Sequence, residues 1–169
     1  MTFPRSRREF DSRIPLMEKY EQVKINKRPA KPEDTEFARR AHHAGYHDVV
    51  INQFGKWDRQ AQDNFFEAGW KNSLGHEIIM CNGKPCGYTS SEEIDGVINF
   101  HELVILPEFQ RRGIGTKILD EKIKMAKKKR ITLKFQVLKA NKAISLYKRL
   151  GAEKVGETKT HLIMEFKPE

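Results

Sequence analysis

The sequence predicts a single α/β (α+β) domain, with a mixed, mostly antiparallel central sheet and about four flanking helices. Three observations carry this. Asn82-Gly83 and Asp95-Gly96 are short turn signals between β-prone runs, so residues 77–106 read as an antiparallel meander. The apolar run Leu103-Val104-Ile105-Leu106 stops at Pro107, and after a glycine-containing join the apolar residues fall at Ile114, Ile118, Leu119, Ile123 and Ala126. That is a buried strand feeding an amphipathic helix. Beyond it, Ile131, Leu133, Phe135 and Val137 alternate with Thr132, Lys134 and Gln136, a strand that a helical crossover places parallel to the central one.

The remaining elements follow in order. Residues 1–21 hold Arg5, Arg7, Arg8 and Arg13 with little apolar pattern and read as an N-terminal extension outside the domain, which covers 22–169. Val23 to Arg28 alternates as a first strand. Pro32-Glu33-Asp34 opens a helix that Phe37, Ala41 and Ala44 continue to about Gly45. A second helix is expected from Asp58 to Lys71. Glu77–Cys81 and Lys84–Ser90 flank the first turn, Ser91–Gly96 reads as a polar turn, and Val97–Leu106 is the central strand. Asn141 caps a short helix whose Ile144, Tyr147 and Leu150 share a face and which Gly151 stops. Ala152–Thr158 and His161–Phe166 form a closing strand pair.

Composition bounds the function. At 169 residues, 38% hydrophobic and 33% charged, the chain suits one polar globular domain. It has no apolar run long enough to span a bilayer and no secretory signal pattern, so a cytoplasmic protein without a membrane partner is expected. The net charge is +9, divided as +5 over residues 1–31, −6 over 32–106 and +10 over 107–169. The acidic middle argues against nucleic acid as the partner. A basic half for an anionic ligand and an acidic half for a cationic one is the sharper reading. The run Lys127-Lys128-Lys129-Arg130 reads as a solvated helix end.

His42, His43 and His47 lie close in sequence, but Gly45 interrupts them and no carboxylate motif accompanies them, so no metal site is expected. They suit either the rim of an acceptor pocket or plain packing. Cys81 and Cys86 lack companion zinc ligands and read as two thiols, a bridge requiring a longer turn than Asn82-Gly83.

The join between central strand and helix carries the chemistry. In Gln110-Arg111-Arg112-Gly113-Ile114-Gly115-Thr116 a helix starting near Arg112 places unpartnered amides, the positive end of the helix dipole and nearby Arg111, Arg112 and Lys117 at one point. Gly113 and Gly115 let a ligand approach the backbone. This is a phosphate or pyrophosphate site. No Gly-Lys-Ser/Thr closes a nucleotide loop, and Ile118 stands where the dinucleotide fingerprint needs Gly or Ala. What fits is Gln-x-x-Gly-x-Gly after a strand, followed downstream by Asn141-Lys142-Ala143-Ile144-Ser145-Leu146-Tyr147-Lys148-Arg149-Leu150-Gly151-Ala152.

The two motifs, in this order and context, resemble those of the GNAT superfamily of N-acetyltransferases. The resemblance covers residues 23–166 and departs from the family pattern at Ala152, where Phe is usual. It implies acetyl-CoA as cosubstrate and no metal. It implies pyrophosphate contacts at Gln110, Arg111, Arg112, Gly113, Ile114, Gly115 and Thr116, a pantetheine arm laid along Leu103, Val104 and Ile105, and a cofactor contact at Asn141. Tyr147 would protonate the departing thiolate, and a backbone N–H near Val104 or Ile105 would polarise the thioester carbonyl. For the base, simple alternation puts Asn99, His101, Leu103 and Ile105 on one face and Glu102 on the other. In this family the base often occupies the face of Asn99 or His101, so His101 is expected, with Glu102 taking its place if the strand carries a bulge. The acidic middle points to a cationic small-molecule amine as acceptor, of the polyamine or aminoglycoside-antibiotic kind, which would make antibiotic resistance a role. A protein N-terminus or lysine is the alternative, as is a non-catalytic CoA sensor; a homodimer stays open.

Overall fold

The computed structural model describes residues 23–72 and 74–168. The expected N-terminal extension lies outside them. Seven strands form one sheet: β1 (Ile25–Pro29), β2 (His76–Cys81), β3 (Lys84–Ile94), β4 (Val97–Ile105), β5 (Thr132–Leu138), β6 (Glu153–Glu157) and β7 (His161–Phe166), in the spatial order β1-β2-β3-β4-β5-β7-β6. All neighbours are antiparallel except β4 and β5. The helices are α1 (Thr35–Phe54), α2 (Arg59–Asn72), α3 (Ile114–Lys129) and α4 (Ile144–Arg149). The mixed α+β architecture is the one expected.

Both hairpins turn as the sequence requires. Asn82 and Gly83 have φ of 49° and 78°, Asp95 and Gly96 of 51° and 74°. Positive φ at both central residues gives the turn twist that matches a right-handed hairpin. Cys81 consequently faces Lys84, and the two cysteines are unbridged and buried. Burial, the largest influence, pushes the Cys86 thiol up to about 12, so it stays protonated.

Two apolar layers cover the sheet. Under α3 and α4 pack Ile98, Phe100, Leu103, Ile105, Ile114, Ile118, Leu133, Phe135 and Tyr147. Under α1 and α2 pack Ala38, Ala41, Phe66, Ile78, Tyr88 and Val104. Ala152, which replaces the family's usual Phe, is buried in the first layer, and its N–H closes the end of α4 by donating to Tyr147 O at 2.9 Å. At the other end of the sheet, Arg28 forks onto Asp34 at 2.7 and 2.8 Å, tying β1 to the entry of α1.

Four expectations need correction. α1 does not stop near Gly45 but runs to Phe54, because its buried stripe Ala38, Ala41, His42, Gly45, Val49 continues at helical spacing. Gly45 is there for closeness: a Cβ on it would lie 2.8 Å from Val104 Cγ1 of β4. The helix instead ends at Gly55, φ 78°, whose N–H donates to Ile51 O. Second, β3 extends through the polar residues Ser91–Ile94, since each pairs with β4. Third, α3 begins at Ile114 rather than near Arg112, because Arg111 and Gly113 both take positive φ, 63° and 79°.

The fourth concerns β4. Ser90 pairs with Glu102 but Ser91 pairs with Phe100, so His101 is an extra residue in a bulge. Simple alternation therefore fails across it. Ile98 and Phe100 share the α3 layer with Leu103 and Ile105, while Glu102 joins Val104 on the α1 face.

Candidate functional site

β4 and β5 part company early. They pair only at Val97–Thr132, Ile98–Leu133 and Asn99–Lys134, whereas β4 stays paired with β3 as far as Ile105–Gly87. The sheet opens between Phe100–Ile105 on one side and Phe135–Leu138 on the other. Which backbone groups face the opening follows from alternation. Leu106 N–H donates to Cys86 O and Glu102 O accepts from Thr89 Oγ1, so even-numbered residues here turn their polar groups to β3. The N–H and C=O of Leu103 and Ile105 face the opening, and Ile105 O accepts from Gln110 Nε2 at 3.0 Å. Val104, one of the residues expected to polarise a carbonyl, points its N–H the wrong way.

The far end of the opening is the start of α3. Its first intrahelical bond is Lys117 N–H to Gly113 O at 3.0 Å, so the amides of residues 114–116 have no helical partners. Gly113 is exposed, with nothing within 4 Å of where a Cβ would sit. Arg111 and Arg112 are exposed around it, Arg112 lying 5.4 Å from the Phe109 ring, while Ile114 and Gly115 are buried and Thr116 half-buried. Gln110 is different: its side chain is spent on Ile105 O, pinning the loop to β4. Such an arrangement can accept an anion of the pyrophosphate kind.

Tyr147 sits where the strands diverge. It is fully buried, edge-on to Phe135 at 5.2 Å, and its hydroxyl has no hydrogen-bond partner among the described residues. Burial holds its pKa well above the ordinary phenol value. Asn141 is buried in the preceding loop, its Oδ1 accepting from Ala143 N at 2.9 Å. Gln53 of α1 locks this loop by donating to Thr160 O at 2.8 Å and accepting from Ala140 N at 2.9 Å.

On the other face stands Glu102. Tyr46 Oη donates to its Oε2 at 2.5 Å. Burial raises the Glu102 pKa above the usual carboxyl range; the Tyr46 bond and nearby His101 pull the other way. Tyr46 is itself pushed up by burial and by the Glu102 charge, and it senses Tyr88 and Tyr147. Tyr46 and Glu102 thus meet on the α1 face of β4, with Tyr147 in the layer on the opposite face. His101, on the bulge, is exposed and pairs with Glu92 at 2.9 Å.

Sequence reasoning brought Tyr46 no closer to the chemistry than the stretch around His42, His43 and His47 that suits a pocket rim. Its signal was available: once α1 is carried past Gly45, Tyr46 follows Ala38 and His42 at four-residue intervals on the inner side. The histidines serve α1–α2 packing. His42 is buried against Tyr46 and Phe66, while His43 bonds Asp63 at 2.7 Å, and both His43 and His47 rest on Trp57. Among the described residues no group of three His, Cys, Asp or Glu could hold a metal, and no helix is long and apolar enough to cross a membrane.

Comparison with known proteins agrees with this geometry. The acetyltransferase (GNAT) domain family matches residues 74–151, from just before β2 to the end of α4. An uncharacterised N-acetyltransferase of Methanocaldococcus jannaschii is 39% identical over 88 residues. That match covers 47% of this chain and 39% of the relative, so this chain spans about two fifths of the curated relative's length. Among solved structures, the PaiA N-acetyltransferase of Thermoplasma acidophilum in complex with coenzyme A superimposes with a TM-score of 0.70 at 18% identity, over 85% of this chain and 99% of that one. The ribosomal-protein-S18-alanine N-acetyltransferase of Escherichia coli gives 0.61 at 18% identity, over 85% and 94%. Family profile, sequence relative and shared fold agree: residues 74–151 match the acetyltransferase (GNAT) domain, and the fold around them is similar to that of N-acetyltransferases of this kind.

Proposed function

We propose that this chain moves an acetyl group from acetyl-CoA directly to a primary amine. The observation that carries the reading is the opening between β4 and β5. It runs from the bare amides of α3 to a buried, unpartnered Tyr147 hydroxyl, with Glu102 on the other face. The donor set fits the cosubstrate: an anion cradle without a Cβ at Gly113, a strand edge for an extended amide-bearing arm at Leu103 and Ile105, and a phenol awaiting a partner.

Acetyl-CoA supplies an activated thioester and a thiol leaving group. Residues 111–116 bind its diphosphate through backbone N–H groups and the two arginines. Ile105 N–H, or Leu103 N–H, faces the carbonyl oxygen as negative charge grows there. Glu102 accepts the proton that the amine gives up, and a carboxyl raised by burial is better matched to that task near neutral pH than an ordinary one. Tyr46 holds that carboxyl in one orientation. Tyr147 donates its proton to the departing sulfur, and Asn141 fixes the loop that carries α4. The bulge at His101 supports Glu102 rather than His101 as base. The acceptor we favour is a cationic small molecule such as a polyamine or aminoglycoside, on the strength of the −6 balance over residues 32–106.

The test is thiol release from acetyl-CoA against spermidine, kanamycin and a peptide with a free N-terminus, with Glu102→Gln and His101→Ala compared. Glu102→Gln should lower kcat about 100-fold and remove the rising limb of the pH–rate profile, while His101→Ala stays within a few-fold of the parent. The reverse pattern would restore His101 as base. Turnover of the peptide alone would move the acceptor to proteins, and tight CoA binding without turnover of any amine would leave a sensor.

A further inference from the structure

Glu102 does not stand alone across the sheet. His76 of β2 pairs with Ser90 of β3, and Ser90 pairs with Glu102 of β4. Laterally paired residues point to the same face, and the neighbouring row Ile78–Tyr88–Val104 lies in the layer under α1 and α2. His76, Ser90 and Glu102 therefore form the next row on that face, roofed by Trp70, which stacks on His76 at 4.3 Å, and by Tyr46.

Two atoms in this row are anomalous. Ser90 Oγ and His76 Nδ1 are both buried, and neither has a hydrogen-bond partner among the described residues. Buried polar groups of that kind are rare and costly, so two side by side call for a reason. His76 Nε2 bonds Trp70 O at 3.2 Å, which requires the proton on Nε2 and leaves Nδ1 as a lone pair aimed into the interior. A hydroxyl stands beside it, and a carboxyl beside that. Side chains so paired have Cβ atoms about 5 Å apart, within reach of a Ser χ1 rotation or one bridging water.

We infer that Ser90 and His76 carry the amine's proton away from Glu102 to the α2 edge of the sheet. The inference rests on Glu102 being the base. After Glu102 takes the proton from the amine, its carboxyl O–H passes it to Ser90 Oγ as the Ser90 O–H proton moves to His76 Nδ1. Glu102 returns to carboxylate, Ser90 is unchanged, and His76 becomes an imidazolium. The half-buried His76 then loses its Nε2 proton to solvent, leaving the Nδ1–H tautomer, and the starting form returns when water takes the Nδ1 proton and another water protonates Nε2. Ser90 and His76 act through Glu102 and touch neither substrate. The charged and titratable groups around the row are Tyr46, Tyr88 and His101 with its partner Glu92.

The relay is tested with the full chain in two ways. In the acetyl-transfer assay, with the panel amine of highest turnover, Ser90→Ala and His76→Gln should each lower kcat about tenfold and leave both KM values unchanged. Added imidazole buffer should restore much of the loss, which a merely structural defect would not allow. His76→Gln keeps a donor for Trp70 O, so packing is preserved while proton carriage is lost. Independently of any acceptor, the ¹⁵N signal of His76 Nδ1 should move towards that of a bare imidazole nitrogen in Ser90→Ala. Wild-type kcat in both variants, or an unmoved Nδ1 signal, overturns the relay. Should Glu102→Gln retain full activity, the base assignment itself fails; a dead Glu102→Gln beside fully active Ser90→Ala and His76→Gln sinks the relay alone.

Discussion

The two faces of the sheet recognise by different means. Under α3 and α4 the reactive features are backbone features: amides at the start of a helix, a strand edge opened by splay, positive φ at Arg111 and Gly113. Their surroundings are an apolar core in which the Tyr147 hydroxyl is the odd polar atom. Under α1 and α2 the features are side chains: Tyr46 on Glu102, His43 on Asp63, His76 on Trp70, Arg39 reaching Glu36 and Glu67. A backbone site demands glycine and geometry, so it tolerates few substitutions and binds a constant ligand. A side-chain site can be re-lettered without disturbing the fold, which suits a variable one. β4 belongs to both: alternation offers Leu103 and Ile105 to the first face and Glu102 to the second, and the bulge at His101 brings Ile98 and Phe100 onto the first face with Leu103 and Ile105.

The contrast breaks most sharply at Gly113. Gly113→Glu should abolish CoA binding by calorimetry, a loss of at least about 100-fold, by setting a carboxylate against the phosphates at the helix start. No neighbour is crowded, so the remaining penalty is the positive φ of 79°, about 1–2 kcal/mol, and the circular dichroism spectrum should stay that of the parent. Retained affinity would mean the cradle is elsewhere.

Tyr147→Phe sharpens the same face. Turnover should fall about 10- to 100-fold while CoA affinity holds, because the hydroxyl acts only on the departing sulfur. Its stability readout is distinctive. An unpartnered buried hydroxyl contributes nothing by being there, so the melting temperature should hold or rise slightly. A large drop would mean the hydroxyl is bonded in solution and is a structural group.

The legibility of the chain follows the same division. The strand, glycine join and helix at 98–126 could be read because each local signal is strong: glycine suits φ of 79° at Gly113 best, and Asn82-Gly83 and Asp95-Gly96 fix their turns alone. The length of α1 could not be read by the same rule, since Gly45 looks like a stop when its cause is Val104, some sixty residues away. The bulge at His101 was equally hidden. It depends on which residue of β3 meets which of β4, and one extra residue reverses every facing beyond it. Ser90 and His76 were missed for that reason, since their row with Glu102 exists only once registers are known, whereas Tyr46 was missed along with the length of α1.

The α1–α2 face should also be the acid-labile one. Burial, above all, lowers His42 to about 4 from an ordinary 6.5, with nearby His43 adding to the effect and a Gln62 bond opposing it. The unfolded chain therefore binds this proton at a higher pH than the folded one, so stability falls as pH drops from about 6.5 towards 4. The full effect is at most about 3 kcal/mol. Asp34 adds a second loss lower down: the Arg28 fork holds it at about 2, so its contribution is present above its ordinary 3.8 and fades as pH falls from there towards 2. Melting temperatures between pH 7 and 4 should decline in the parent and much less in His42→Leu. Equal declines would place the acid sensitivity on another group.

The smallest expected effect tests whether the faces are joined at β4. Gly45→Ala should gain about 1 kcal/mol of helix propensity and lose more through the 2.8 Å approach of its Cβ to Val104 Cγ1. The net should be a destabilisation of about 1 kcal/mol by denaturant unfolding. Trimming Val104→Ala removes the obstacle, so in that background Gly45→Ala should stabilise by about 1 kcal/mol. A change of sign between the two backgrounds is what direct contact requires. Additive effects would mean that α1 does not press on β4 in solution, and that Tyr46 is held against Glu102 by its own hydrogen bond rather than by the helix that carries it.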